Sequence, residues 1–284
     1  MKILVVLVTF NGMRWIDRCI ASLDKSSLRP DVLMIDNAST DGTADYVEGH
    51  FPWVEVVRSR ENLGFAEGNN LGLRRFLEGD WDYVYLLNQD AWVMDDTFDM
   101  IVKAFGEHPE MAVLSPVQVD ANGIPDKNFA ARVKPGKAVG EVFEVPFVMA
   151  AHWMLRRSAV LSVGAFAPMF PVYGNDDNYC DRVRFHGMKV GVVRGAVAVH
   201  DRAWRIEPKE KVVARNYYVK SQVVLADPGR NLASAWGFVI IFTIIKTFKY
   251  CSFLPLKYIC KLIGRDSREL REVRRVSRQN GAFL

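Results

Sequence analysis

Residues 3–8, ILVVLV, constrain the fold more than any other stretch: six consecutive apolar residues, four of them β-branched. A strand with one wet face alternates apolar and polar residues, whereas a strand covered on both faces stays apolar throughout. The run therefore predicts a strand inside a parallel sheet with helices on both sides. The next segments keep that rhythm. Trp15, Ile16, Cys19, Ile20 and Leu23 recur at helical spacing, and residues 32–35 read as a second strand stopping at Asp36. Residues 43–49 read as a short helix, 54–58 as a third strand, 66–77 as a helix and 83–87 as a fourth strand. This alternation specifies an α/β fold, a mostly parallel sheet flanked by helices.

In such sheets ligands bind beyond the carboxyl ends of the strands. Those ends carry Thr9 and Asn11, Asp36 and Asn37, then Asn88 and Asp90. Three successive strands delivering polar groups to one edge exceed what separate helix caps require, although Asp90 by itself could be such a cap. The first turn reads TFNGMRW and lacks the GxGxxG of a dinucleotide-binding fold, which argues against a dehydrogenase.

The second half is less regular. Residues 113–119 and 145–155 read as strands, 156–163 as a short helix, and 120–139, with Gly, Pro and Lys, as a mobile loop. Residues 188–193 and 196–199 are short strands ending at His200. In YGNDDNYCDR, residues 173–182, Asp176 and Asp177 open a helix. They are either an acid-biased first turn favoured by the helix dipole or a general base. His200 is either an ordinary core or surface residue or an imidazole metal ligand beside an aspartate. ENLGFAEGNN, residues 61–70, is a turn, or a loop whose glycines admit a ligand to the backbone while its amides bond to it.

Half of the 284 residues are hydrophobic and a quarter are charged, so the chain is globular and not disordered. The net charge of +4 is unevenly spread: ten Lys/Arg against three Asp/Glu lie from Lys246 onward, leaving the preceding residues at −3. Cys19, Cys180, Cys251 and Cys260 form neither a CxxC pair nor a spaced framework, which fits a reducing compartment. The N-terminal run reads as a strand and not a signal peptide, placing the N-terminal body in the cytoplasm.

VTFNG, DNASTDGT, ENLGFAEGNN, LLNQD and YGNDDNYCDR follow one another in the order and spacing of the inverting glycosyltransferases of family 2. From about Lys2 to about Trp204 the chain resembles the bacterial rhamnosyltransferase-like members that decorate lipid-linked polysaccharides. The resemblance implies the GT-A nucleotide-diphospho-sugar transferase fold. It also implies roles. Thr9 and Asn11 would lie by the nucleotide, and Asp36 would accept a hydrogen bond from the pyrimidine. Asn62, Gly64, Asn69 and Asn88 would line the nucleotide-sugar pocket, Asp90 and His200 would hold Mg²⁺ or Mn²⁺, and Asp176 would be the base, with Asp177 as fallback. Trp153 and residues 120–139 are expected on the acceptor side. Two departures stand out: Gln89 replaces a usual Pro, and Asn175 replaces a usual Glu. HDRAWR stands where processive synthases carry QxxRW, so transfer of one or a few sugars is expected.

Residues 232–245 are uncharged and apolar, too short for a comfortable membrane span. Lys246, Lys249, Lys257 and Lys261 then interleave with aromatic and aliphatic residues, as in a helix lying among lipid headgroups. A helix packed on the catalytic domain is the other reading. Pro255 should break the segment, and residues 265–278 form a charged helix candidate without base-reading context, so no nucleic acid is expected. The expectation is a GT-A catalytic domain over residues 1–205 and a helical, membrane-associating extension over 206–284. It would move rhamnose or a hexose from a nucleotide-diphospho-sugar to a lipid-linked saccharide in cell-surface polysaccharide biosynthesis, at the inner face of the plasma membrane. A sugar-1-phosphate nucleotidyltransferase and a catalytically silent nucleotide-sugar-binding or scaffold protein are the alternatives.

Overall fold

The computed structural model describes residues 1–133, 136–171, 173–202, 215–250 and 253–284. Its first half runs β1 (Ile3–Thr9), α1 (Ile16–Asp24), β2 (Asp31–Asp36), α2 (Thr43–His50), β3 (Val54–Arg58), α3 (Gly64–Glu78), β4 (Tyr83–Asn88), β5 (Ala91–Val93) and α4 (Thr97–Glu107). There follow β6 (Met111–Val119), α5 (Lys127–Val133), β7 (Lys137–Val139), β8 (Val142–Val145), β9 (His152–Arg156), α6 (Arg157–Val163), α7 (Asn175–Phe185) and β10 (Lys189–His200). A π-helical turn at Arg215–Val219 leads into α8 (Lys220–Ala226), α9 (Leu232–Tyr250), α10 (Leu254–Ile263) and α11 (Ser267–Val276).

The strands form one sheet ordered β3-β2-β1-β4-β9-β6-β10-β8-β7, with β5 paired to the end of β10. The first four strands are parallel, and β9, β8, β7 and β5 bring in antiparallel pairings. The apolar run of β1 is explained by two cores. Leu4 and Val6 point into one, with Leu33, Ile35 and Leu86; Ile3, Val5 and Leu7 point into the other, with Val32, Met34 and Tyr85. Helices α1, α2 and α4 cover the second core, and α3, α6 and α7 cover the first. Each fully buried aliphatic side chain contributes about 1.5–3 kcal/mol.

Helix α3 lies unusually close to β1. A Cβ built on Gly72 would fall 2.3 Å from Val6 Cγ1, and one on Gly68 would fall 2.8 Å from Val8 Cγ1. Two hydrogens thus set the helix-to-sheet distance.

Several expected elements differ in outline. The strand expected over 145–155 is two strands, since Pro146 has no N–H for a sheet ladder. Residues 120–139, expected as a mobile loop, carry α5 and β7; Asp126 Oδ1 accepts from the amides of Asn128 (2.7 Å) and Phe129 (2.9 Å), fixing the helix start. The two short strands expected before His200 are one, β10, irregular between Val193 and Val197.

The helix that the uncharged run 232–245 begins continues through Lys246 and Lys249 to Tyr250, as the interleaved lysines led one to expect. Among the described residues α9 is a helix long and apolar enough to cross a membrane, with mean hydropathy 1.5 over Leu232–Lys249 and only 17% of that window buried. It nevertheless packs on the protein through Ala235, Val239 and Thr243, spaced four apart. That stripe belongs to a third core joining Val223, Leu225, Leu262 and Leu270 to Ala167 and Phe170. Arg274 of α11 donates to the carbonyls of Leu225, Asp227 and Arg230, satisfying the end of α8. Pro255 sits in the first turn of α10, where its missing N–H costs nothing. The expected domain boundary at 205/206 lies outside the described residues, as does Trp204.

Candidate functional site

The loops leaving β1, β2 and β4 are laced together. Thr9 Oγ1 donates to Asp36 Oδ1 at 3.3 Å, and Ser39 N to Asp36 Oδ2 at 3.1 Å. Asn11 N donates to Ser39 Oγ (2.9 Å), while Asn11 Oδ1 accepts from Thr40 N (2.9 Å). Asn11 and Ala38 both hold positive φ, 51° and 61°, a conformation that side chains disfavour and that collects at functional sites. Gln89 spans from the exit of β4 to the first loop: its Oε1 accepts from Phe10 N (2.7 Å) and its Nε2 donates to Phe10 O (3.1 Å). A side-chain amide has both groups needed to clamp a backbone unit, which a proline lacks.

The loop before α3 joins the same edge. Asn62 Oδ1 accepts from Gly64 N (2.9 Å), and Asn37 Nδ2 donates to Gly64 O (3.1 Å). Gly64 has φ +75°, and a Cβ there would fall 3.1 Å from Pro171 O. Asn69 is buried, bonded to Phe65 O (2.8 Å) within its own helix. Asn88 continues the ladder through its N–H to Ala151 O at 3.2 Å.

Asp90 and His200 meet at this edge. Their side chains are almost fully buried, and His200 Nε2 lies 3.4 Å from Asp90 Oδ1. The topology accounts for the meeting: β5 starts one residue after Asp90 and pairs antiparallel with β10, placing Ala91 opposite His200, while Asp201 N donates to Asp90 O at 2.8 Å. A carboxylate and an imidazole close enough to share an ion fit the donor chemistry of Mg²⁺ or Mn²⁺. Among the described residues no third His, Cys, Asp or Glu completes a metal cluster, so further positions would fall to phosphate oxygens and water. His152 stands behind the pair. Its ring is 6.5 Å from that of His200, Nδ1 pairs with Tyr85 Oη (2.9 Å) and Nε2 with Val199 O (2.9 Å). Burial pushes its pKa down to about 3, so it stays neutral.

Asp176 and Asp177 occupy the first turn of α7 and line a cavity of about 1090 Å³ between α5, α7, α8 and α9. Burial, then the charge of Asp177, pushes Asp176 up to about 7. Burial also raises Asp177, opposed by Arg132, whose guanidinium is 3.8 Å away. Arg202, two residues past His200, lines the same cavity, so the chain leaving β10 reaches the cavity wall.

Trp153 does not face an acceptor. It is fully buried in β9 against Phe166 and Tyr179, ring centroids 6.1 and 5.6 Å away, so its expected acceptor contact is corrected to a place in the core. Residues 120–139 do reach the cavity, through Asp126, Asn128, Ala131 and Arg132. Sequence reasoning passed over His152, Asp181 and Lys220. Asp181 follows Asp177 by one helical turn, a legible signal; His152 and Lys220 carry no local pattern.

The model for "Glycosyl transferase family 2" matches residues 4–164, more than half of the chain. The chain belongs to glycosyl transferase family 2. It is 27% identical over 234 residues, 70% of this chain and 76% of the relative, to an N-acetylglucosaminyl-diphospho-decaprenol L-rhamnosyltransferase of Mycobacterium tuberculosis. Among solved structures it resembles a mannosyltransferase from Pyrobaculum calidifontis in complex with GDP-Man and Mn²⁺ (TM-score 0.63, 16% identity, 97% of this chain and 84% of that one). It also resembles GalNAc-T7 with UDP, GalNAc and Mn²⁺ (TM-score 0.58, 15% identity, 80% of this chain), spanning half of that chain. The family 2 chain is therefore a glycosyltransferase with the GT-A fold.

Proposed function

We propose that this family 2 enzyme is an inverting, metal-dependent transferase that moves rhamnose or a hexose from a nucleotide-diphospho-sugar to a lipid-linked saccharide in cell-surface polysaccharide synthesis. The meeting of Asp90 and His200 from distant elements carries the reading. The lipid-linked acceptor is supported by the mycobacterial relative, and the divalent metal by the Mn²⁺ in the two solved structures.

On this reading Thr9, Asn11 and Asp36 hold the nucleotide, and the loop of Asn62 and Gly64, with Asn69 and Asn88 behind it, shapes the sugar pocket. Asp176, or Asp177 in its place, is the base. The acceptor hydroxyl oxygen bonds to the anomeric carbon as that carbon's bond to the diphosphate oxygen breaks. The bond's electron pair leaves with the nucleoside diphosphate, and the hydroxyl proton passes to the Asp176 carboxylate. Mg²⁺ or Mn²⁺ held by Asp90 and His200 would offset the charge growing on the leaving diphosphate. The exposed face of α9 and its basic surroundings would seat the protein on the inner face of the plasma membrane.

Thermal shift with dTDP-rhamnose, UDP-glucose, UDP-galactose, UDP-N-acetylglucosamine and GDP-mannose tests the reading, with Mn²⁺ and with chelator. The expected result is a Mn²⁺-dependent rise with one donor that Asp90→Ala abolishes. A rise independent of metal and of Asp90 would overturn the metal assignment.

A further inference from the structure

The cavity beside Asp176 has a charge arrangement that the base alone does not need. Four of its arginines each sit against one of its aspartates: Arg132 with Asp177 (3.8 Å), Arg184 with Asp181, Arg202 with Asp126 (3.5 Å) and Arg230 with Asp227 (3.7 Å). Lys220, Lys246 and Lys249, on α8 and α9, bring the described lining to seven cationic side chains against five aspartates. Lys220 and Lys246 flank the ring of Phe242 at 5.6 and 5.0 Å. The lysines thus stand on α8 and α9, while Asp176 stands on α7 in the same lining.

Helix α9 presents three neighbouring stripes. Ala235, Val239 and Thr243 are buried, Phe242, Lys246 and Lys249 line the cavity, and Ile241, Ile245 and Phe248 lie exposed. One residue is a rotation of about 100° on a helix, so the exposed apolar stripe borders the cationic one. Ile241 is 60% exposed and Phe248 78%. A ligand that fits both must be anionic at one end and hydrocarbon at the other.

We propose that this cavity seats the diphosphate of a long-chain lipid diphosphate acceptor against Lys220, Lys246 and Lys249, with the hydrocarbon led out along Ile241, Ile245 and Phe248. The proposal rests on the transferase reading and assigns the acceptor's anionic group to a place apart from Asp90 and His200. The diphosphate on these lysines leaves its attached sugar within the same chamber as Asp176. Lipid phosphates and soluble phosphates share the anionic chemistry; the apolar stripe selects the lipid ester.

Calorimetric titration of farnesyl diphosphate into the full chain, in EDTA, tests it. The wild type is expected to bind farnesyl diphosphate at least tenfold more tightly than inorganic pyrophosphate or farnesol. Lys220→Ala/Lys249→Ala should lose at least tenfold while Lys220→Arg/Lys249→Arg retains binding, which separates charge from misfolding. Ile241→Ser/Ile245→Ser should bring farnesyl diphosphate down to the level of pyrophosphate. Loss of binding in Asp90→Ala, with the lysine variants unaffected, would place the probe at the donor edge and overturn the proposal. Lysine-dependent binding of phosphatidylglycerol vesicles without farnesyl diphosphate binding would overturn it too, in favour of a general membrane contact. Farnesyl diphosphate binding by a wild type that responds to no nucleotide sugar would support this site and count against the transferase reading.

Discussion

Gln89 holds both polar groups of the Phe10 backbone, and so ties the β4 exit to the loop that would meet a nucleotide. Gln89→Ala is expected to cost about 1–2 kcal/mol in urea denaturation, the scale of two lost hydrogen bonds partly replaced by water. Donor affinity should fall severalfold with it, because the clamp fixes the loop. At Asp176 the raised pKa makes a signed prediction. In the proposed role of base it must be ionised to take a proton, so the transfer rate should rise with pH to a plateau above about 7. Asp176→Asn should lower turnover by about 10²–10⁴-fold while leaving donor binding in place. A carboxylate whose folded pKa is raised binds its proton more tightly in the folded state, so its ionisation destabilises the fold as pH rises from the ordinary carboxylate range through about 7. The melting temperature of Asp176→Asn relative to wild type should therefore increase across that interval.

At the scale of elements, α3 against β1 gives the sharpest case. Gly72→Ala places a methyl 2.3 Å from Val6 Cγ1, and overpacking of this kind costs about 1–3 kcal/mol. Val6→Ala in the same chain should recover part of that loss, a non-additivity that denaturant titration of the four proteins would show. The strands β1 to β4 were legible in the sequence because their signal is local, an apolar run ended by polar residues. Strand β5 was not: three residues carry too little pattern, and it owes its pairing to β10, which no local period announces. The same dependence hid the meeting of Asp90 with His200 until the topology was known. The uncharged run 232–245 looked too short to span a membrane, whereas a lysine on a helix keeps its stem along the surface, so the apolar window of α9 reaches Lys249. Trp153 was misplaced for a related reason, since an aromatic before a charged segment looks the same in a core as at a binding surface.

For the whole molecule, the C-terminal helices complete the cavity that Asp176 and Asp177 begin. Their third core reaches Ala167 and Phe170, Ala165 N donates to Ala282 O (2.8 Å), and Arg182 in α7 holds the carbonyls of Val163 (2.7 Å) and Ala165 (2.5 Å). The exposed face of α9 then predicts membrane behaviour. Ile241→Asp/Ile245→Asp should reduce co-sedimentation with phosphatidylglycerol vesicles by tenfold or more, since burying charge at a lipid surface opposes the apolar contact. The sheet itself has a further effect on how the protein tolerates change. It stands as a partition between two cores whose side chains belong to separate clusters. Substitutions at Leu4 and Leu7 act on different neighbours and should sum, whereas pairs within one core should interfere. Each side can drift or be redesigned while the other stays as it is, and the strand ends that carry the polar residues hold their places throughout.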